Sequence, residues 1–196
     1  MLIKTFIAGI LLAVTSGAAM AGSPSMPTGG RTSQPIGHYE FCQSHPSECR
    51  STRSSDKPVQ LTEPAWRTLV EVNYQVNSAV EPRTDMEMWG HPEVWSYPEQ
   101  YGDCEDYVLL KRRILMERGF PESALLITVV RQTNGEGHAV LTVRTSKGDF
   151  ILDNLESEVA LWTDTDYQYL KRQSTRHTKA WVSIDSPRDV LVGSIQ

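Results

Sequence analysis

An α+β fold, with helices in the first half of the chain and an antiparallel sheet in the second, is predicted by two changes of period and one tight turn. Apolar residues recur at helical spacing between about residues 63 and 118 and then alternate at spacing two from Leu125 onward. The tetrapeptide Thr145-Ser146-Lys147-Gly148 divides the alternating region as a hairpin turn would. The chain has 196 residues and a formal net charge of −5. That length suits one domain able to bury its own core. The acidic balance, with no Lys/Arg cluster, excludes nucleic acid and anionic membrane as main partners.

The first element is not part of the fold. Lys4 precedes an apolar run from Phe6 to Val14, and small residues lead to Ala19-Met20-Ala21. This reads as a secretory signal peptide over residues 1–21, cleaved after Ala21, because a spanning helix needs about 20 apolar residues. The mature protein is therefore expected in the periplasm or outside the cell. Residues 22–35, rich in Gly, Ser, Pro and Thr, read as a flexible leader, and the folded domain is expected to run over 36–196.

Cys42 and Cys49 flank a polar, proline-containing stretch. In an oxidising compartment they suit a small disulfide loop, worth roughly 2–3 kcal/mol by chain entropy; two free thiols are the alternative. Their spacing, with His38 and His45 irregularly placed, matches no common zinc pattern. Cys104 is left over.

Thr62 can cap a helix whose first turn holds Glu63 and Pro64, and Trp66, Leu69, Val70, Val72, Tyr74 and Val76 carry it to about residue 78. Residues 81–101, with three prolines, read as irregular structure folded over the core. A second helix is expected from Cys104 to Arg118, with Asp103 as its cap, Glu105 and Asp106 in its first turn, and Gly119 and Pro121 as its stop. Strands follow at 125–130, 138–145 and about 148–153, then a polar segment containing Trp162 and Tyr169, then a last strand at 179–184.

Three residues could carry chemistry. Cys104 opens a helix, where unpaired N–H groups and the dipole favour a thiolate. His138 opens one strand of the hairpin and Asp153 closes the next, so the two fall near the same open end. A thiol facing an imidazole held by a carboxylate is an activated nucleophile. Read singly, Cys104 is equally a buried small hydrophobe, His138 an edge-strand polar residue and Asp153 a turn former. His91 and His177 are rivals for the base that lie in no matching motif. Spacing alone leaves both readings open.

The blocks Gly102-Asp103-Cys104-Glu105-Asp106-Tyr107, Gly137-His138-Ala139-Val140-Leu141 and Ile151-Leu152-Asp153-Asn154-Leu155 resemble the bacterial transglutaminase-like cysteine peptidases. Val72-Asn73, Val76-Asn77, Trp89-Gly90, Trp95 and Pro98 add to the likeness, which spans roughly residues 62–160. The resemblance implies a papain-like, transglutaminase-type core, with Cys104 as nucleophile, His138 as general base and acid, and Asp153 orienting the imidazole. It also implies a Ca²⁺ site on Asp103 and Glu105, with Asp106 as a third candidate; hard oxygen ligands suit that ion. The Cys104 backbone N–H is the default oxyanion donor, and the indoles of Trp89 and Trp95 are candidates for a second. The function implied is an endopeptidase acting on a protein, with a cell-surface adhesin as substrate and a membrane-bound receptor as regulator in the adhesin-releasing branch of the family. Acyl transfer to an amine, or a catalytically idle binding module, are the alternatives.

Overall fold

The computed structural model describes residues 24–50 and 56–185; the expected signal peptide lies outside them. Chain order runs β1 (Thr28–Thr32), α1 (Ile36–Ser44), α2 (Glu63–Ala79), β2 (Glu81–Pro82), α3 (Asp85–Trp89), β3 (Tyr101–Gly102), α4 (Cys104–Glu117), β4 (Leu125–Arg131), β5 (Gly137–Thr145), β6 (Gly148–Leu152), β7 (Ala160–Leu161), β8 (Gln168–Gln173) and β9 (Trp181–Ile184). Seven strands form one sheet in the order β1-β9-β8-β4-β5-β6-β7, every neighbouring pair antiparallel. The α+β expectation holds. The short β2–β3 pair is separate and parallel.

Both faces of the sheet are covered, and the period-two pattern divides the core between them. Ala139, Leu141 and Val143 of β5 join the helix-side core with Leu69, Val72, Leu109 and Leu115. Val140 instead meets Met26, Val130, Ile151, Trp162 and Tyr169 on the other face. There the hydroxyls of Thr128 and Thr142, both buried, pair across β4 and β5 at 2.6 Å, so neither is left unsatisfied. On the helix side α4 lies against β5 and β4, and α2 lies on α4.

Helix α2 begins as its sequence requires: Thr62 Oγ1 accepts from Ala65 N, and Pro64 sits in the first turn. Helix α4 departs from expectation in its cap. Asp103 occupies the N-cap position but makes no side-chain capping bond; its Oδ2 accepts from the backbone N–H of Asp85 instead.

Three other expectations are corrected. The leader assigned to residues 22–35 contains β1, which pairs with β9, and the Met26 N–H donates to Asp149 Oδ2. Edge pairing through backbone groups needs few apolar side chains, so composition concealed it. The supposedly irregular 81–101 contains α3, nucleated by a full capping box between Thr84 and Glu87 and closed by Gly90 in the left-handed region (φ 76°). The polar segment contains β8, whose Arg172 is buried on Asp149 at 3.3 Å and whose Gln173 caps the Ile127 N–H. Partnered polar side chains erased the alternation.

Candidate active site

Helix α4 packs on β5, so the first residue of the helix meets the third residue of the strand. Cys104 is partly buried, with the Ala139 backbone N–H directed at its sulfur. Antiparallel β5–β6 pairing sets Leu141 against Leu152, so His138 and Asp153 reach the same end of the hairpin. There His138 Nε2 and Asp153 Oδ1 lie 2.8 Å apart, both residues buried. Because Nε2 is engaged by the carboxylate, Nδ1 is the ring nitrogen left for proton transfer.

Asp153 is fully partnered. Oδ1 also accepts from the Leu155 N–H at 3.0 Å, and Oδ2 accepts from the Tyr167 hydroxyl at 2.6 Å. Burial works against the carboxylate, but the His138 contact, with help from Tyr167 and Leu155, holds its pKa below the ordinary value. The segment is tethered from α2: Asn77 Nδ2 donates to the Asp153 carbonyl at 2.8 Å, and Asn73 Nδ2 donates to the Glu156 and Ser157 carbonyls. Asn73 in turn accepts from the buried Lys111 of α4, whose pKa burial lowers to about 7. These bonds explain the two asparagines at positions 73 and 77.

The other side of Cys104 is acidic. Asp85, Asp103 and Asp106 each present a carboxylate oxygen, and these atoms all lie within 4.8 Å of one another. One oxygen of each is held by a backbone N–H: Asp85 Oδ2 by Val94 at 2.5 Å, Asp103 Oδ2 by Asp85 at 3.4 Å, and Asp106 Oδ1 by Ser96 at 2.8 Å. The remaining oxygens, Asp85 Oδ1, Asp103 Oδ1 and Asp106 Oδ2, are buried with no hydrogen-bond partner. Leaving three such atoms unpaired is costly. A hard divalent cation is the chemical complement of this donor set, so the residues fit calcium.

The carboxylates that converge are not the Asp103 and Glu105 pair that the sequence suggested, with Asp106 as third candidate. Asp85 was missed and joins Asp103 and Asp106. Glu105 turns toward the nucleophile, its Oε2 accepting from Cys104 Sγ at 3.0 Å. Residues 103 and 106 share a helix face, and Glu105, beside Asp103, directs its Oε2 to the sulfur. The signal for Asp85 was the Thr84-x-x-Glu87 box, which announces a helix whose first residue it is. Burial raises the pKa of Asp85 and Asp103, lifts Asp106 to about 7 and, reinforced by Asp103, lifts Glu105 to about 9. Burial and then the Glu105 carboxylate also push the Cys104 thiol up, against the lowering effect of the Ala139 N–H.

The two tryptophans occupy different surroundings. Trp89 closes α3 with its side chain 54% exposed. Trp95 is buried against His38, ring centroids 5.2 Å apart, and its Nε1 has no hydrogen-bond partner. Helix α1 presses on it so closely that a Cβ on Gly37 would fall 2.4 Å from Trp95 Cδ1. That helix is fastened by a Cys42–Cys49 disulfide with Cα atoms 5.5 Å apart. His91 lies near Asp85 and His177 Nδ1 accepts from the Lys179 N–H at 3.1 Å, whereas His138 pairs with Asp153.

A family model described as bacterial transglutaminase-like cysteine proteinase matches residues 28–189. Among solved structures, calcium-bound LapG of Legionella pneumophila is similar at 24% identity, covering 66% of this chain and 80% of that one with a TM-score of 0.52. A second L. pneumophila LapG structure matches at 23% identity over 63% of this chain and 71% of that one, TM-score 0.46. The first likeness places the chain in the same fold. No curated protein matches.

Proposed function

Since the chain belongs to the bacterial transglutaminase-like cysteine proteinases, we propose that it is an exported, calcium-dependent endopeptidase working through Cys104, His138 and Asp153. The observation that carries this is the buried 2.8 Å contact between His138 Nε2 and Asp153 Oδ1, on the strand whose next N–H reaches the Cys104 sulfur. His138 Nδ1 takes the thiol proton, and the thiolate attacks the peptide carbonyl. The imidazolium, steadied by Asp153, gives that proton to the leaving amine, which leaves a thioester on Cys104. Water, deprotonated by His138, then attacks the thioester, and expulsion of the thiolate with return of the proton restores the enzyme. At the first position of α4 the Cys104 N–H has no helical partner and is the oxyanion donor. Trp89 or Trp95 as a second donor belongs to the same reading.

Asp85, Asp103 and Asp106 would hold calcium. Bound there, the ion supplies positive charge beside a thiol that Glu105 and Asp103 otherwise disfavour, and it ties α3 to the head of α4. The calcium carried by the similar LapG structure supports this. The substrate is a protein; a cell-surface adhesin, a membrane-bound receptor as regulator and a periplasmic location rest on the family alone. Among the described residues no helix is long and apolar enough to cross a membrane.

The test is alkylation by iodoacetamide across pH, with calcium or with chelator, mapped by mass spectrometry. Rapid labelling of Cys104 below about pH 7 with calcium, lost in His138→Ala, is the expected result. Labelling that begins only near the ordinary thiol value of about 8.5 under every condition overturns the reading.

A further inference from the structure

Within the hydrogen-bonded group around Asp153, one side chain has no place in the three-residue account. Tyr167 directly precedes β8 and reaches back across the sheet end to Asp153. Its hydroxyl donates to Oδ2 at 2.6 Å, and its ring lies tilted against the His138 ring, with centroids 5.6 Å apart. One side chain therefore touches both the carboxylate and the imidazole that the carboxylate orients.

We infer that Tyr167 is a positioning residue for the triad: its hydroxyl fixes the rotation of the Asp153 carboxylate, and its ring limits the tilt of His138. The inference rests on the proposed triad and adds to it the residue that sets its alignment. A carboxylate held only through Oδ1 can turn about its Cβ–Cγ bond; a donor on Oδ2 stops that rotation. Rotation of Asp153 would carry Oδ1 away from Nε2 and release the imidazole. Such outer partners fix the orientation and basicity of a ligand or catalytic imidazole in other sites as well.

The hydroxyl is suited to this because it remains a donor. Burial, then the Asp153 hydrogen bond and charge, raise the Tyr167 pKa well above the ordinary tyrosine value, with Glu156 and Tyr169 adding to the shift. The groups facing Asp153 are His138, Tyr167 and, at longer range, the Lys111 ammonium. Among these, Tyr167 is the neutral donor, so it can lower the Asp153 pKa without competing for the imidazole. A pocket of about 430 Å³ lined in part by Gln132, Glu156, Asp166 and Tyr167 also reaches Asp153. The phenol lines that space beside the carboxylate.

The experiment is hydrolysis of p-nitrophenyl acetate by the full mature protein in calcium, for wild type, Tyr167→Phe, Tyr167→Leu, His138→Ala and Cys104→Ala, with thermal unfolding alongside. Tyr167→Phe should lower kcat about tenfold with KM unchanged, the factor expected when one hydrogen bond to a charged group is lost. It should also move the acid limb of kcat to higher pH, because Asp153 loses a group that holds its pKa down. Tyr167→Leu should lower kcat further. Unchanged kcat and an unmoved acid limb in both variants overturn the inference. A Tm loss in Tyr167→Phe with kcat and acid limb at wild-type values overturns it equally, since that is the mark of a purely structural residue. Activity surviving in Cys104→Ala or His138→Ala would instead sink the triad, a result separable from either outcome at Tyr167.

Discussion

Of the carboxylates on the two sides of Cys104, Asp153, Asp85 and Asp106 are buried and Asp103 is half-buried, yet the two sides are satisfied to opposite degrees. Asp153 has every oxygen engaged, by His138, Leu155 and Tyr167. Asp85, Asp103 and Asp106 each keep one oxygen without a partner, and the three converge. The first arrangement is complete in protein atoms alone; the second is one that a ligand of opposite charge would complete. A buried acid thus declares its role through what it lacks as much as through what it touches. On the proposed reading, Asp153 orients and the other three bind.

Four substitutions or conditions would break or sharpen that contrast. The largest effect is expected from Asp153→Asn, which keeps the shape but reverses the hydrogen bond with His138. By the precedent of the serine-protease aspartate, kcat should fall by about 10³- to 10⁴-fold, measured on p-nitrophenyl acetate, while calcium should still raise the Tm as in wild type. Asp85→Asn should do the converse: the calcium-dependent rise in Tm should vanish in differential scanning fluorimetry. In the wild type that rise should correspond to about 2.7 kcal/mol when calcium is at a hundredfold excess over its Kd. If chelator leaves the wild-type Tm unchanged, the converging oxygens do not bind calcium.

A smaller effect concerns acid. The folded pKa of Asp153 is depressed, so its contribution to stability is present above the unfolded carboxyl value of about 4 and is lost as pH falls through the folded value. The urea midpoint of the calcium-free protein should therefore drop on acidification below about pH 4, and Asp153→Asn should flatten that drop. The least effect is expected from Thr84→Ala, which removes the capping box of α3. It should cost about 1 kcal/mol and weaken calcium binding modestly, because α3 presents Asp85. An unchanged calcium titration would show that Asp85 is placed by β2–β3 pairing rather than by its helix.

How much of this could be read beforehand follows the same division. Helices α2 and α4 and the β4-β5-β6 strands announce themselves because their apolar periods reflect burial of one face or two. The positions of Cys104, His138 and Asp153 followed from helix start, strand start and strand end, all local features. The Thr84 and Glu87 box marked Asp85 only as a helix start; its nearness to Asp103 was illegible because 18 residues separate them and the parallel β2–β3 pair brings them together. Helical spacing does put Asp106 on the face of Asp103, while Glu105 touches both Asp103 and the sulfur. Tyr167 left no trace, lying in a polar stretch where burial falls on hydroxyl, amide and guanidinium groups. Strand β1 was hidden for a related reason, its side chains being mostly exposed while its backbone does the pairing.

That edge strand constrains the order in which the molecule is assembled. Thr28 is matched to Ile184 and Thr32 to Trp181, so β1 has nothing to pair with until β9 has been made. Loop closure over such a separation is slow relative to the local hairpin of β5 and β6. A chain that crosses a membrane N-terminus first would emerge with β1 unpaired and finish its sheet only when β9 follows. Until then the edge of β8 that β9 will cover stays open, and completion of the sheet falls late.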